Sequence, residues 1–411
     1  MHITHLSLTN FRNYGRLELT LPQGPTLLYG NNAQGKTNLL EAIYYLATTR
    51  SPHADNDAQL LNWNAAQSDE PIVVGRLVAS VVTAAQSHQV EMRLIQEQKS
   101  AVARQRSFSF RREALLDRRK VRLMDLLGAV RVVLFLPEDV QLLTGSPANR
   151  RRYMDITLCQ VDPVYCRALS NYNKVLEQRN AVLRQIAEGQ PDREILPIYS
   201  EKLVELGSTI FLRRAKFLAN LSRETQRIHY ESLTEGRESI RLLYLPRLNA
   251  KKSRLLPPSE HHPEAVSEWL ESHQGQSEIV SERFAKLLHE TLATDIARGA
   301  TTVGPHRDDW SFQLNGRSLG SFGSRGQQRT AILALKMGEI NWMTAVTGER
   351  PILLLDEVVA ELDELRRAAL LSYVSQVTQT ILTATDPGMF TDQFLRQATR
   401  MAVENGRINV M

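Results

Sequence analysis

Hydrophobic and polar positions alternate over Ile3–Thr9 and Arg16–Leu21, and a short apolar run, Thr26–Tyr29, stops at Gly30; all three predict strands. Beyond the glycine the period changes. Leu39, Leu40, Ile43, Tyr44 and Leu46 recur at helical spacing and predict an amphipathic helix from Lys36 to about Ala47. Ile72–Val82 and Val90–Gln96 predict further strands, and Val130–Phe135, apolar throughout, predicts a strand buried on both faces. Ser146-Pro147 then reads as a helix start, an N-cap serine with proline at the first helical position. Tyr165, Leu169, Tyr172, Leu176, Leu183 and Ile186 step by fours and threes, with Arg179 the one interruption. Gly189, Gln190 and Pro191 break that face. A second one runs from about Glu194 to His229 on Leu203, Leu206, Ile210, Phe217, Leu221 and Ile228. Together they predict an antiparallel helical hairpin, roughly 50 Å long at about 1.5 Å per residue.

Lys251–Glu264, rich in proline and charge, reads as a loop, and Glu268–Ile296 as mostly helical. Strand patterns return after Gly304, where Trp310–Leu314 and Arg317–Leu319 flank the turn Asn315-Gly316. A helix follows the glycine-rich Gly320–Gln328. Pro351–Leu355 predicts a buried strand, Leu365–Val377 a helix and Thr380–Thr383 a short strand; Met401–Val410 folds back at Asn405-Gly406. The expected organisation is an α/β head built from both chain ends, residues 1–136 and 301–411. A mainly helical lobe, 137–300, interrupts it.

Composition adds bounds. At 411 residues, 42% hydrophobic and 23% charged, the chain suits a soluble protein of two to three domains. No run approaches the roughly 18 apolar residues of a membrane helix, and Met1–Asn10 lacks a signal peptide's apolar block. The expectation is a cytoplasmic protein with no membrane partner. The two cysteines, Cys159 and Cys166, are spaced for one helix face, too far apart to bridge, and read as reduced packing residues. No Cys/His cluster has zinc-site spacing. A net charge of +5 favours a polyanionic partner, with nucleic acid the leading candidate.

The chemistry concentrates in three places. Gly30, Asn31, Asn32, Ala33, Gln34, Gly35, Lys36 and Thr37 match G-x-x-x-x-G-K-[ST] between a strand and a helix, with Asn38 next. Such a loop lets backbone N–H groups wrap phosphates, Lys36 reach the β- and γ-phosphates of ATP, and the Thr37 hydroxyl bind Mg²⁺. The buried strand Pro351–Leu355 ends in Asp356 and Glu357. Asp356 is placed to hold Mg²⁺ and Glu357 to polarise the attacking water; the alternative is an acidic helix cap. Ser324-Arg325-Gly326-Gln327 opens a helix about two dozen residues before that strand and taken alone reads as a cap. Arg12 and Asn13 read as a solvated turn.

For DNA, the densest basic stretch is Arg104, Arg106, Arg111, Arg112, Arg118, Arg119, Lys120 and Arg122, interleaved with Phe108 and Phe110. It reads equally as a phosphate-binding surface or a solvated charged face. Arg150, Arg151 and Arg152 form a second candidate, near a helix start where the dipole disfavours cations. Arg213, Arg214 and Lys216 are a third. His306 and Arg307, followed by Asp308 and Asp309, either fix a loop or touch nucleotide or DNA.

Ser324, Gly326 and Gln327, lying between the loop Gly30–Thr37 and the acidic strand, resemble the ABC signature S-G-G-Q, with Arg325 in place of the first glycine. In that class the signature meets nucleotide held by another subunit, so the resemblance implies an ATP-bound homodimer. Glu361-Leu362-Asp363 resembles the D-loop. Resemblance to the N-terminal arginine of related ABC proteins implies contact of Arg12 and Asn13 with nucleotide phosphates. Thr385 or Asp386 stands where many ABC proteins have a switch histidine, and Gln141 is the Q-loop candidate.

The whole set resembles the RecF family, SMC-like ABC ATPases of bacterial recombination. The carrying blocks are Leu8–Tyr14, Gly30–Asn38, Leu136–Asp139, Gly145–Asp155, Gly304–Asp309, Ser324–Thr330 and Leu354-Asp356-Glu357. The resemblance implies an ATP-dependent DNA-binding protein of repair and replication that dimerises on ATP. It implies binding to single-stranded, gapped or double-stranded DNA and recombinase loading, and so SOS induction, beside other recombination mediator proteins. Slow hydrolysis would reset the dimer. A rival reading is the ATPase subunit of an ABC transporter, against which stand the helical insertion, the basic stretch and the lack of a clear Q-loop.

Overall fold

A computed structural model describes residues 1–100, 107–189, 194–249, 263–374 and 377–410. The chain divides into two compact units, Met1–Asp139 with Glu339–Met411, and Val140–Gly338.

The first unit holds two six-stranded sheets. One is antiparallel, in the order Tyr14–Thr20, His2–Phe11, Ile72–Val82, Ser87–Ser100, Ser107–Leu116, Arg119–Val121. The other runs Arg407–Val410, Thr399–Glu404, Gly24–Tyr29, Gln379–Ala384, Ile352–Leu355, Val132–Phe135. Its inner pairings are parallel, and only the Arg407–Val410 edge is antiparallel. Strands from both chain ends therefore share one sheet. Gln379–Ala384 and Ile352–Leu355 are buried at every position, as strands covered on both faces must be. Between the sheets the helix Lys36–Thr48 buries Leu39, Leu40, Ile43 and Leu46 in a core shared with Ile3, Leu6, Leu77, Met92, Val132 and Leu354.

The second unit contains the expected hairpin, Pro163–Ala187 and Leu196–Ile228, with the helix Ser277–Arg298 packed on both arms. Gly207 lets the third helix approach, since a side chain there would meet Phe284. Arg179, the polar interruption, is fully buried. It pairs with Asp295 at 2.9 Å and donates to Ser200 and Thr301, tying the three helices with one charge.

Several expectations need correction. The second unit extends to Gly338 rather than ending at residue 300. Asp309–Leu314 explains why, since it pairs along its length with Ile240–Leu245, a strand the sequence did not signal. The basic stretch contains two strands, Ser107–Leu116 and Arg119–Val121, where charges had masked the alternation. Cys159 ends the helix Pro147–Cys159 and Cys166 lies in the next one. The thiols meet across the turn, and that contact together with burial pushes Cys159 up. Neither cysteine is in a disulfide. The expected loop Lys251–Glu264 lies almost wholly outside the described residues, as do Gln190, Pro191, Arg104 and Arg106.

Candidate functional site

Gly24–Tyr29 delivers the loop Gly30–Thr37 at the end of a parallel strand, where the chain must turn sharply into the helix Lys36–Thr48. Gly30 has φ 147° and lies so close to the strand Thr399–Glu404 that a Cβ would stand 2.4 Å from the Val403 carbonyl oxygen. Gly35, at φ 115°, would meet Asn13 at 2.5 Å. Both positions therefore require glycine. Asn31, Asn32 and Ala33 are exposed, whereas Lys36 is buried and its Nζ donates to the carbonyls of Gly30 at 2.7 Å and Asn31 at 3.0 Å. The ammonium thus lies curled inside the loop. The first-turn amides of the helix have no carbonyl partner one turn earlier and carry its positive end, which suits an anion.

The acidic strand ends two places across the sheet, and the strand between them supplies the link. Thr37 Oγ1 donates to Asp356 Oδ1 at 3.1 Å, and Thr383 Oγ1 donates to the same oxygen at 2.7 Å. The Glu357 amide in turn donates to Thr383 Oγ1 at 2.9 Å. One hydroxyl therefore fixes the Asp356 carboxylate and the Glu357 backbone. Burial raises the Asp356 carboxyl above its usual range, while the two hydroxyl donors pull it back. Glu357 sits in the left-handed region at φ 52°, and its Oε1 lies 3.4 Å from Lys36 Nζ. Lys36, Thr37, Asp356 and Glu357 are thus in one place. Thr37 and Asp356 present hard oxygen donors, the set Mg²⁺ takes. The sequence marks Thr383 only as the end of a strand, and a hydroxyl directly after the apolar pair Ile381-Leu382 is its one signal.

Arg12 and Asn13 lie beside the loop. The Arg12 guanidinium grips Glu41 through two bonds of 2.7 and 2.8 Å and donates to the Gln59 carbonyl. Asn13 accepts from Asn38 Nδ2 at 2.9 Å. Their observed bonds brace the loop and its helix. Thr385 and Asp386 are exposed, and Asp386 caps the turn Pro387–Met389 by accepting from the Gly388 amide. Asp363 caps the helix Glu364–Val374 through the Arg366 amide at 3.0 Å.

In the second unit, Ser324 and Gln327 form a reciprocal cap on the helix Arg325–Thr347. The Gln327 amide donates to Ser324 Oγ at 3.2 Å, and the Ser324 amide donates to Gln327 Oε1 at 2.9 Å. Gln327 Nε2 also donates to Glu238, which fixes the side chain. Ser324, Arg325 and Gly326 remain exposed at the helix start. Gln141, the Q-loop candidate, is exposed on the short helix Gln141–Thr144.

The blocks Gly145–Asp155 and Gly304–Asp309 meet inside this unit. Arg214 is fully buried and donates to Asp308 at 3.0 Å, Asp155 at 2.8 Å, Tyr165 Oη at 2.9 Å and the Pro305 carbonyl at 2.6 Å. Asp308 also accepts from Tyr244 Oη and the Arg247 amide; burial nevertheless raises it to about 6. His306 Nε2 faces the Thr301 carbonyl at 3.0 Å, so it carries the proton, and Nδ1 accepts from Tyr172 Oη at 2.9 Å. Burial lowers this imidazole to about 4. Of the two readings for His306, the observed bonds are those of a loop anchor.

Arg150 and Arg151, expected among DNA contacts, are drawn into the same fabric. Arg150 forks onto Asp309 at 2.7 and 2.9 Å, and Arg151 donates to the Asp308 carbonyl at 2.7 Å. In the first unit Arg111 lies between Glu97 and Glu113, Lys120 on Glu113 and Arg122 on Asp125. Arg112 turns inward to Asp57 at 2.8 Å and the Thr49 carbonyl. Phe110 packs on the core, while Phe108 is exposed. Cross-strand acids thus neutralise much of what the sequence presents as a basic run.

A phosphate loop and an acidic strand on one parallel sheet, beside an antiparallel sheet and with a helical insertion in the chain, define a P-loop ATPase head of the ABC type. The head of an SMC protein bound to the C-winged helix domain of ScpA has the same fold, with TM-score 0.51 at 15% identity over 100% of this chain and 97% of that one. The family described as RecF/RecN/SMC N terminal domain matches residues 2–409. The DNA replication and repair protein RecF of Herpetosiphon aurantiacus is 38% identical over 99% of both chains, and that of Bacillus subtilis 36% identical over 99% of this chain and 100% of its own. A solved structure of the recombination mediator protein RecF-ATP in the RecFOR pathway superposes with TM-score 0.80 at 27% identity, covering 100% of this chain and 97% of that one. The chain belongs to the RecF family.

Proposed function

We infer that this chain is an ATP-dependent DNA-binding protein of recombinational repair and replication. The observation that carries the reading is the convergence of Lys36, Thr37, Asp356 and Glu357 on one another, in a chain akin over its full length to RecF proteins. The loop amides and Lys36 bind the phosphates of ATP, the ammonium exchanging the Gly30 and Asn31 carbonyls for phosphate oxygens. Thr37 and Asp356 hold Mg²⁺, which when bound neutralises charge on the β- and γ-phosphates. Glu357, fixed through Thr383, orients the attacking water.

The exposed start of the helix Arg325–Thr347, with Ser324 and Gly326, contributes the remaining contacts from a second copy. ATP therefore closes a homodimer, and slow hydrolysis reopens it. The dimer binds single-stranded, gapped or double-stranded DNA and works with other recombination mediators to load recombinase, which leads to SOS induction. Its phosphate contacts are few, since Arg111, Arg112, Arg150 and Arg151 are already engaged, and its affinity falls with salt in proportion to their number. Retardation of gapped DNA at low salt, with and without ATP, tests this. ATP-strengthened binding supports it, and no binding to any DNA under either condition sinks it.

A further inference from the structure

Three hydrogen bonds converge on a single residue of the phosphate loop, Gln34. Its side-chain Oε1 accepts from the Asn405 amide at 2.7 Å. Its carbonyl accepts from the Gly406 amide at 3.0 Å and from Asn13 Nδ2 at 2.9 Å. The donors come from two hairpin turns near opposite ends of the chain. One joins His2–Phe11 to Tyr14–Thr20, the other Thr399–Glu404 to Arg407–Val410. The C-terminal turn is an Asn-Gly pair with both residues left-handed, at φ 49° and 72°, a geometry that sets two successive amides rigidly. Tyr14 Oη adds a bond to the Gly35 carbonyl at 2.9 Å, and Asn13 spans to Asn38 on the far side of the loop.

We propose that Gln34 is a positioning residue for nucleotide, the point at which the C-terminal turn Asn405-Gly406 and Asn13 together hold the phosphate loop in its phosphate-receiving shape. This rests on the reading that the loop takes the phosphates of ATP. Exposed glycine-containing loops are costly to order, at about 1–2 kcal/mol per residue for the backbone alone. Here the order is imposed by sheet strands during folding, so less of it remains to be met on binding. Gln34 acts through main-chain shape: what it holds in place is the run of amides around it.

Gln34→Met keeps the side chain's length and removes the acceptor, and Asn13→Ala removes the second donor. Each variant raises the Kd for a fluorescent ATP analogue about five-fold, the equivalent of one net hydrogen bond. KM for ATP rises in parallel, while kcat falls less than Kd rises. Hydrogen exchange across residues 27–40 speeds up without nucleotide and returns to the wild-type rate at saturation. A Kd within two-fold of wild type in both variants overturns the proposal. So does a rise in Kd accompanied by an equivalent loss of melting temperature in both, which marks general unfolding. Wild-type protein that binds no nucleotide overturns the underlying ATP reading instead, so the two failures are distinguishable.

Discussion

Thr37 and Asp356 lie 319 positions apart in the chain and 3.1 Å apart in space, hydroxyl to carboxylate. That contact joins the phosphate loop to the acidic strand, the two halves of the proposed magnesium–nucleotide site. Asp356→Asn keeps the hydrogen-bonding shape and removes the charge. Its nucleotide affinity should lose its magnesium dependence, and hydrolysis should fall at least about 100-fold, the scale of losing one strong electrostatic contact. Titration with ATP in magnesium and in chelator checks this, since chelator should weaken the wild type and leave the variant unchanged.

Thr383 donates to Asp356 and accepts from the Glu357 amide. Thr383→Val preserves the strand and removes both bonds. Hydrolysis should drop more than nucleotide binding, by about ten-fold against less than three-fold, because Glu357 loses its anchor while the loop does not. Single-turnover rates beside equilibrium binding give the ratio.

Arg214 is enclosed by Asp308, Asp155 and Tyr165. Arg214→Met leaves Asp308 buried without its cation. Urea denaturation should show a loss of about 3–5 kcal/mol, far beyond an exposed ion pair's worth. Arg111→Ala, which breaks exposed pairs with Glu97 and Glu113, should leave the urea midpoint almost unchanged.

His306 titrates near 4 in the fold against an ordinary value of 6.5, so the folded state resists its protonation. Its contribution to stability is complete above about pH 6.5 and is lost as pH falls through the interval down to 4. By linkage the loss reaches about 2 kcal/mol by pH 5. Asp308, raised to about 6, has the opposite sign, contributing at low pH and losing it as pH rises. His306→Gln removes only the first effect. The stability of wild type minus variant should therefore fall by about 2 kcal/mol between pH 7 and pH 5, measured by denaturation. A difference independent of pH would contradict the buried neutral imidazole.

The loop Gly30–Thr37 and the pair Asp356-Glu357 were legible because their chemistry fixes spacing within a few residues. The parallel sheet from both chain ends followed from two apolar runs that end in functional residues. Thr383 and the Gln34 brace were not legible, since each depends on contacts made across the sheet between residues far apart in sequence. The strand Ser107–Leu116 escaped because arginines occupy both of its faces, Arg112 reaching inward to Asp57 and Arg111 outward to Glu97. Charge counted along the chain likewise overstated the basic surface, because Glu97 from the neighbouring strand and Asp57 from a distant turn pair with its arginines. Ser324-Arg325-Gly326-Gln327 shows the limit of reading by class: its cap is present, and a cap also leaves an exposed helix start able to meet a phosphate.

In the proposed cycle one chain holds half of the site and ATP brings the other half from a second copy. Sedimentation velocity on Glu357→Gln, with and without magnesium–ATP, tests it most directly. A monomer without nucleotide and a stable dimer with it are expected, the dimer retaining DNA better than wild type. Lys36→Ala or Ser324→Ala, added to the same chain, should abolish the dimer. A sedimentation coefficient that ATP leaves unchanged in Glu357→Gln would contradict the cycle.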